Sequence, residues 1–540
     1  MMTPTQKFDR DGYTVLPHVY SPEELVSIQQ VLASDQQANT CIWSKDLCAS
    51  SHNFLQFATH PKILEALKPL LGKDIILWGG SYLERSPGQV HHWHTDIESS
   101  RPEGGFVTVW IGLDGTNQRS ALNIVPGSHH FNQALQQAIE LNQKSRETTT
   151  DDDVATWAQA HNADHPGILQ PAVGNGDAIL FDGRLWHGSN NQNIESSRTA
   201  FLFQYARADV PVRMPDFSKL SWPFDFFEHP LPPCISVCGK ADSELNLIVE
   251  SAPQLSGELP EVRSTVYPID LDATDTALGP FQPFPLIDGS TSNLQRLRTH
   301  YSVLTPDHTP HPPHAHVDEE VLIVLKGSAT LRFDENGQLT EKQVSAGDCI
   351  YYPAFHRHTI HNHSAAPVLY LMLKWVASQK AETRTLKLEH FRITPLAASE
   401  TTSDSTQQAF ALKECFSGPT DQLKRLHSHV TTLLPGGGYD THTDEHDVAI
   451  ILFEGTVETN GQHITPSQLV WHRAGIDHDM WNRSDAPARY LVIEFHGENC
   501  SGDYASYTNP KHRSKKSRHK KRSLQRILKN LKRLFGIRES

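Results

Sequence analysis

The chain has 540 residues, a formal net charge of -14 and 38% apolar residues, which is too long for one hydrophobic core and too ordinary in composition for a disordered or collagen-like protein, so roughly three globular domains are expected. Seven cysteines without regular spacing exclude a disulfide framework or a cysteine-built zinc site. The charge is uneven: residues 509–540 hold 13 Lys and Arg against one Glu, while the preceding 508 hold 35 against 61 Asp and Glu, so body and tail are read separately.

In chain order, SPEELVSIQQVLAS at 21–34 and HPKILEALKPLL at 60–71 carry helical spacing. FVTVWIGL at 106–113, DAILFDGRLWH at 177–187 and RTAFLFQYAR at 198–207 read as strands. Residues 1–212 are therefore expected to be a β-core decorated by helices, with the polar stretch 131–168 as a helical insertion or lid. A Pro-rich linker at 213–261 follows. Residues 262–395 and 411–500 are copies of one domain, joined by the low-complexity stretch 396–410. LQRLRTHYSVL at 294–304 matches LKRLHSHVTTL at 423–433, and His314 and His442 each stand 13 residues before a glycine, Gly327 and Gly455. A basic tail, 501–540, closes the chain. The start of the chain has no secretory pattern, and the longest apolar runs are of strand length, so a cytoplasmic location is expected.

The stretch GQVHHWHTDIES at 88–99 places His94 and Asp96 two apart, so an extended strand points both to one side while Trp93 and Thr95 face away. His187, at the end of an apolar run before a Gly-Ser turn, is the candidate second histidine. Two His and one carboxylate are the ligand set of non-haem Fe(II) oxygenases. Arg198, eleven residues later, carries a planar fork suited to a carboxylate. His91 and His92 are expected to face substrate or solvent, Asn123 to line the pocket and Asp177 to close a turn.

These residues, with FDRDGYTVLP before them and ALNIVPGSH between them, resemble the phytanoyl-CoA dioxygenase family over about residues 7–210. The resemblance implies a double-stranded β-helix that binds Fe(II) through His94, Asp96 and His187. It implies 2-oxoglutarate as cosubstrate, its distal carboxylate gripped by Arg198 with help from Ser189. Halogenating relatives replace the carboxylate with Gly or Ala, so Asp96 implies hydroxylation or desaturation.

HPPHAHVDEEVLIVLKG supplies His314, His316 and Glu320, and GDCIYYPAFHRHTIHN supplies His358. These spacings resemble the two motifs of the cupin family, whose ligands are three His and one Glu. They imply a second divalent ion, Fe, Mn, Ni or Zn, held by His314, His316, Glu320 and His358. One departure is Phe355 where the family has Gly. In the second copy His442, Asp444 and Val448 stand where His314, His316 and Glu320 stand in the first, with His478 later. Val448 cannot ligate, so a degenerate, empty or weak site is expected, with Asp444 or His446 as the candidate substitutes. The fold class expected is thus mainly β, an oxygenase jelly roll followed by two cupin barrels.

In the tail, apolar residues from Leu524 to Phe535 recur at helical spacing among Lys and Arg. The expected partner of residues 511–538 is an anionic membrane surface at the inner face, ahead of docking on the acidic body or nucleic acid. The function expected is a dioxygenase hydroxylating a small-molecule, lipid-linked or carbohydrate intermediate, with homo-oligomers formed through the cupins. The rivals are a cupin-catalysed isomerase, epimerase or dioxygenase, and a ligand-binding bicupin.

Overall fold

The computed structural model describes residues 2–34, 46–96, 103–117, 122–162, 165–190, 196–214, 231–252, 259–273, 279–335, 338–378, 391–396 and 410–501. The expected tail helix and most of the 396–410 joint lie outside them. No helix among the described residues is long and apolar enough to cross a membrane. The architecture is mainly antiparallel β, in three barrel-like pairs of sheets.

In the first pair, the strands Tyr13–Leu16, Ala178–Asp182, Phe106–Asp114, Arg198–Arg207, Ile75–Arg85 and Ile235–Cys238 form one sheet in that order. Val90–His94, His187–Asn190 and Asn123–Ile124 form the other. The two share a core in which Trp110, Ile179 and Phe181 meet Leu122 and Ile124. The helix Pro61–Leu71 starts on proline and buries Ile63, Leu67 and Leu71, one face at fourfold spacing. The expected lid is two helices, Leu135–Leu141 and Asp151–His161, the second begun by a Thr150–Asp153 capping box. They pack on Trp93, Val125 and Trp186, beside the strand of the histidine stretch.

Residues 213–261 are more than a linker. Ile235–Cys238 pairs with Ile75–Leu77 and covers the edge of the larger sheet of the first barrel. Farther on, the Ala252 N–H donates to the Ala49 carbonyl (2.9 Å) and the Glu250 N–H to that of Ala315 (2.9 Å). The segment thus ties the first barrel to the second. Phe355 belongs to the same junction. Its φ is +60°, a conformation that costs a bulky residue about 1–3 kcal/mol. Its ring is buried with Ala315, Val317 and Ala354 in the cluster built mostly by the first barrel. Burying a phenylalanine contributes about 1.5–3 kcal/mol, which offsets the strain and accounts for the absence of glycine.

The two repeats pack through one core in which Trp375 meets Phe495 edge to face (5.0 Å). A strand also crosses between them. Thr265–Pro268, assigned by sequence to the first repeat, pairs with Gln468–Trp471 of the second. Arg392–Pro395, at the end of the first repeat, pairs with Asp348–Tyr351 of the same repeat. Each pairing covers an edge that would otherwise be exposed. The ties are reciprocal. Glu319 of the first repeat accepts from the Thr420 hydroxyl (2.8 Å) and the Asp421 (2.9 Å) and Gln422 (3.2 Å) N–H groups of the second. Asp447, its counterpart, accepts from Thr291 Oγ1 (2.7 Å) and Asn293 Nδ2 (3.3 Å) of the first.

Burial pushes the Glu319 carboxyl up to about 8 and moves Asp447 in the same direction. Between the ordinary carboxylate range and about pH 8 these two carboxyls hold protons that they lose in the unfolded chain, so their contribution to stability falls as pH rises through that window. The melting-temperature difference between Glu319→Gln and the parent is therefore expected to shift in favour of the variant from pH 5 to 8; a difference that does not change with pH removes Glu319 as a source.

Candidate functional site

The strand Val90–His94 ends at His94, two residues short of Asp96, which follows in a bend where its N–H donates to the Gly183 carbonyl (3.1 Å). His187 does not end the apolar strand. That strand stops at Asp182, where the carboxylate binds the Arg184 N–H (2.9 Å) in a turn, and His187 opens a short strand of its own. Register then sets His94 opposite His187.

Asp96 Oδ1 lies 3.4 Å from both His94 Nε2 and His187 Nε2. Each imidazole is oriented from behind: His94 Nδ1–H donates to the His92 carbonyl (2.8 Å) and His187 Nδ1–H to that of Leu185 (2.9 Å). With Nδ1 protonated, both Nε2 lone pairs turn toward the carboxylate. The Thr108 hydroxyl donates to Asp96 Oδ2. Burial, seconded by His187, pushes the His94 imidazole down to about 3. Burial opposes ionisation of Asp96, but His187 and His94 outweigh it and hold the carboxyl well below its usual range. Two imidazoles and a carboxylate within reach of one point are the donor set of a divalent iron centre.

Arg198 is buried at the start of the strand Arg198–Arg207 in the larger sheet. Its guanidinium donates to Ser189 Oγ (2.9 Å) and lies over the Trp110 ring (5.2 Å), while its Nε is buried without a hydrogen-bond partner. Burial, and Arg85 beside it, push Arg198 down to about 10. A desolvated guanidinium with an unmet donor fits the carboxylate of an organic acid. The lid reaches the histidine stretch: Gln136 exchanges hydrogen bonds with Thr95, and Trp93 Nε1 donates to Asp151 (2.8 Å). Trp93 and Thr95 thus face away from the site, as the alternation requires.

Residues 8–200 match the family model for phytanoyl-CoA dioxygenase, and residues 300–374 match a cupin domain model. The first domain belongs to the phytanoyl-CoA dioxygenase family. This dioxygenase domain, of the Fe(II)/2-oxoglutarate type, is 25% identical over 225 residues to ectoine dioxygenase of Sphingopyxis alaskensis, covering 36% of this chain and 72% of that one. The ectoine dioxygenase of Nocardia farcinica is 26% identical over 220 residues, covering 34% and 70%. Among solved structures, a cupin 2 conserved barrel domain protein from Leptotrichia buccalis is 13% identical, with a TM-score of 0.29 over 40% of this chain and 89% of that one.

Sequence reasoning missed two residues around the dioxygenase site. Arg85 is the register partner of Arg198, and its only sequence signal is a charge ending an apolar strand. Thr108 reads as an ordinary strand residue. His91, expected to face substrate or solvent, has Nε2 3.3 Å from His94 Nε2. Asn123 is buried, its carboxamide oxygen held by Gln170 (2.6 Å). Asp177 closes its turn by accepting from the His18 N–H (2.8 Å) and the Gly174 N–H (3.1 Å).

In the cupin domain, His314 and His316 lie before the strand Glu319–Lys326 rather than on it, and Glu320 is that strand's second residue. The site still assembles, because His314 and His358 exchange backbone hydrogen bonds (3.1 and 2.9 Å). Glu320 Oε2 lies 3.6 Å from both His316 Nε2 and His358 Nε2. The His316 Nδ1–H donates to the Asp318 carbonyl (3.0 Å) and that of His358 to the His356 carbonyl (2.7 Å). His314 Nδ1 meets Glu250 of the connecting segment (3.0 Å), and His316 Nε2 is buried without a hydrogen-bond partner. Donor set and orphaned nitrogen together fit a second divalent ion. Beside it lies a cavity of ≈ 240 Å³ whose lining includes Arg298, His300 and Lys374.

Proposed function

We propose that the dioxygenase domain hydroxylates a small polar molecule, with Fe(II) held by His94, Asp96 and His187 and the distal carboxylate of 2-oxoglutarate by Arg198 with Ser189. The observation that carries this reading is a buried guanidinium, without a carboxylate partner among the described residues, bonded through Ser189 to the strand that carries His187 of the two-histidine, one-carboxylate cluster. Bound together, the two cofactors couple oxidative decarboxylation of 2-oxoglutarate to hydroxylation of the substrate. Around them the chain's own residues set orientation and exclude water: Thr108 fixes the Asp96 carboxylate, backbone carbonyls fix both imidazole tautomers, and the lid helices pack against the ligand strand. Of the substrate classes expected from sequence, the small molecule is favoured over a lipid- or glycan-linked one because the relatives of this domain are named for ectoine. Anaerobic titration with Fe(II) and 2-oxoglutarate tests the site. A weak visible charge-transfer band is expected, surviving Glu320→Ala; no band despite bound metal would overturn the assignment.

For the first cupin we propose a divalent ion on His314, His316, Glu320 and His358 that takes a small anion as its further ligand. The support is the charge of the wall: Lys374 and Arg298 face one another across paired strands, with Asp318 (2.8 Å from Arg298) as their nearby carboxylate. Glu320→Ala is expected to remove one metal equivalent per chain, measured by elemental analysis, with 2-oxoglutarate turnover by the dioxygenase domain retained. Loss of turnover in Glu320→Ala, with Asp96→Ala still active, would instead place the chemistry in the cupin. For residues 511–538 we propose binding to anionic membrane at the cytoplasmic face, supported by the basic amphipathic pattern alone.

A further inference from the structure

The second cupin has lost the glutamate of the first: Val448 is buried among Ile450, Leu452 and Val470. The carboxylate has been restored from another position. Asp444, at the place of His316, directs Oδ2 to within 3.4 Å of His442 Nε2 and 3.5 Å of His478 Nε2. Both imidazoles are turned as in the other two sites, with Nδ1–H donating to the carbonyls of Asp440 (3.1 Å) and Ile476 (3.1 Å). His442-Thr443-Asp444 also repeats the local sequence His94-Thr95-Asp96 of the dioxygenase domain. The result is a two-histidine, one-carboxylate cluster in a barrel whose sister uses three histidines and a glutamate.

The surroundings have changed sign with it. Strand register sets His427 opposite Glu494 where the first cupin sets Arg298 opposite Lys374, and His446 stands at the place of Asp318. The cationic wall is thereby replaced by neutral imidazoles and a second carboxylate. His446 is 93% buried by the complement of its 7% exposure. Its Nε2 has no hydrogen-bond partner and lies between Asp444 Oδ2 (3.9 Å) and Glu494 Oε2 (3.5 Å). A buried nitrogen left unmet between two carboxylates is costly unless a cation or proton joins them.

We propose that the second cupin is a metal site of altered ligand set, in which His442, Asp444 and His478 hold a divalent first-row transition ion. Three protein donors leave coordination positions open, and imidazole with carboxylate suits iron, manganese, cobalt, nickel or zinc.

Metal counting on the full chain tests it. The protein is stripped with chelator, reloaded with Co(II), desalted and analysed for cobalt per chain, with the d–d absorption recorded in parallel. Asp444→Asn and His442→Gln are each expected to hold one equivalent fewer than the parent. Either deficit should add to that of Glu320→Ala, so the result does not depend on whether the first cupin or the dioxygenase site loads. The His442 side chain is 29% exposed at the rim, so His442→Gln decides the matter if Asp444→Asn fails to fold. An unchanged cobalt count in His442→Gln would overturn the proposal.

Discussion

Asp96→Ala is expected to lower 2-oxoglutarate turnover by more than roughly 100-fold, the loss that even an outer partner of a metal ligand commands. Among the described residues the carboxylate is the only anion that His94 and His187 share, at 3.4 Å from each, so its removal leaves two imidazoles to hold a divalent ion. The fold should survive, because Asp96 follows the end of its strand and the backbone bond to Gly183 does not involve the side chain. Succinate formation under saturating Fe(II), with circular dichroism melting as the control, checks it. Turnover within a few-fold of the parent would remove Asp96 from the site. Turnover abolished by Glu320→Ala but not by Asp96→Ala would move the chemistry to the cupin.

The second large effect is expected at Arg198. Truncating one member of a buried, hydrogen-bonded charge pair costs about 2–5 kcal/mol, which corresponds to roughly a 30- to 4,000-fold weaker interaction. Arg198→Ala should raise the KM for 2-oxoglutarate by a factor in that range while Fe(II) affinity changes little, since no proposed iron ligand touches the guanidinium. Arg198→Lys retains the charge but not the two-pronged geometry, nor the flat contact with Trp110, and should fall between parent and alanine. A KM unchanged in both variants would show that the cosubstrate carboxylate is held elsewhere, with Arg85 the next residue to replace.

Local chemistry was legible in the residues themselves. Alternating apolar runs marked most of the strands, the repeat marked the duplicated barrel, and His94, Asp96, His187, Arg198, His314, His316, Glu320 and His358 stood out by type and spacing. Each of those signals depends on neighbours in sequence or on a motif short enough to keep its spacing. The second cupin shows the limit. Matching position to position, the loss of Glu320 at Val448 reads as a broken site, because alignment asks whether the same position carries the same ligand. Space asks only whether donors converge, and Asp444 satisfies that from another position.

Sequence by itself determined the three β-rich units, the acidic body and basic tail, and the candidate iron ligands, because strand periodicity and ligand type are local properties. Tertiary structure alone decided that Arg85 neighbours Arg198, that Thr108 steadies Asp96, that Glu250 reaches His314 and that Phe355 is kept at positive φ by the barrel beside it. It also decided that Thr265–Pro268 joins the sheet of the second repeat, and the reciprocal ties of Glu319 and Asp447. These are contacts between residues far apart in the chain, and they follow from sheet register and the burial of edges and carboxyls, neither of which leaves a periodic trace in the amino-acid order.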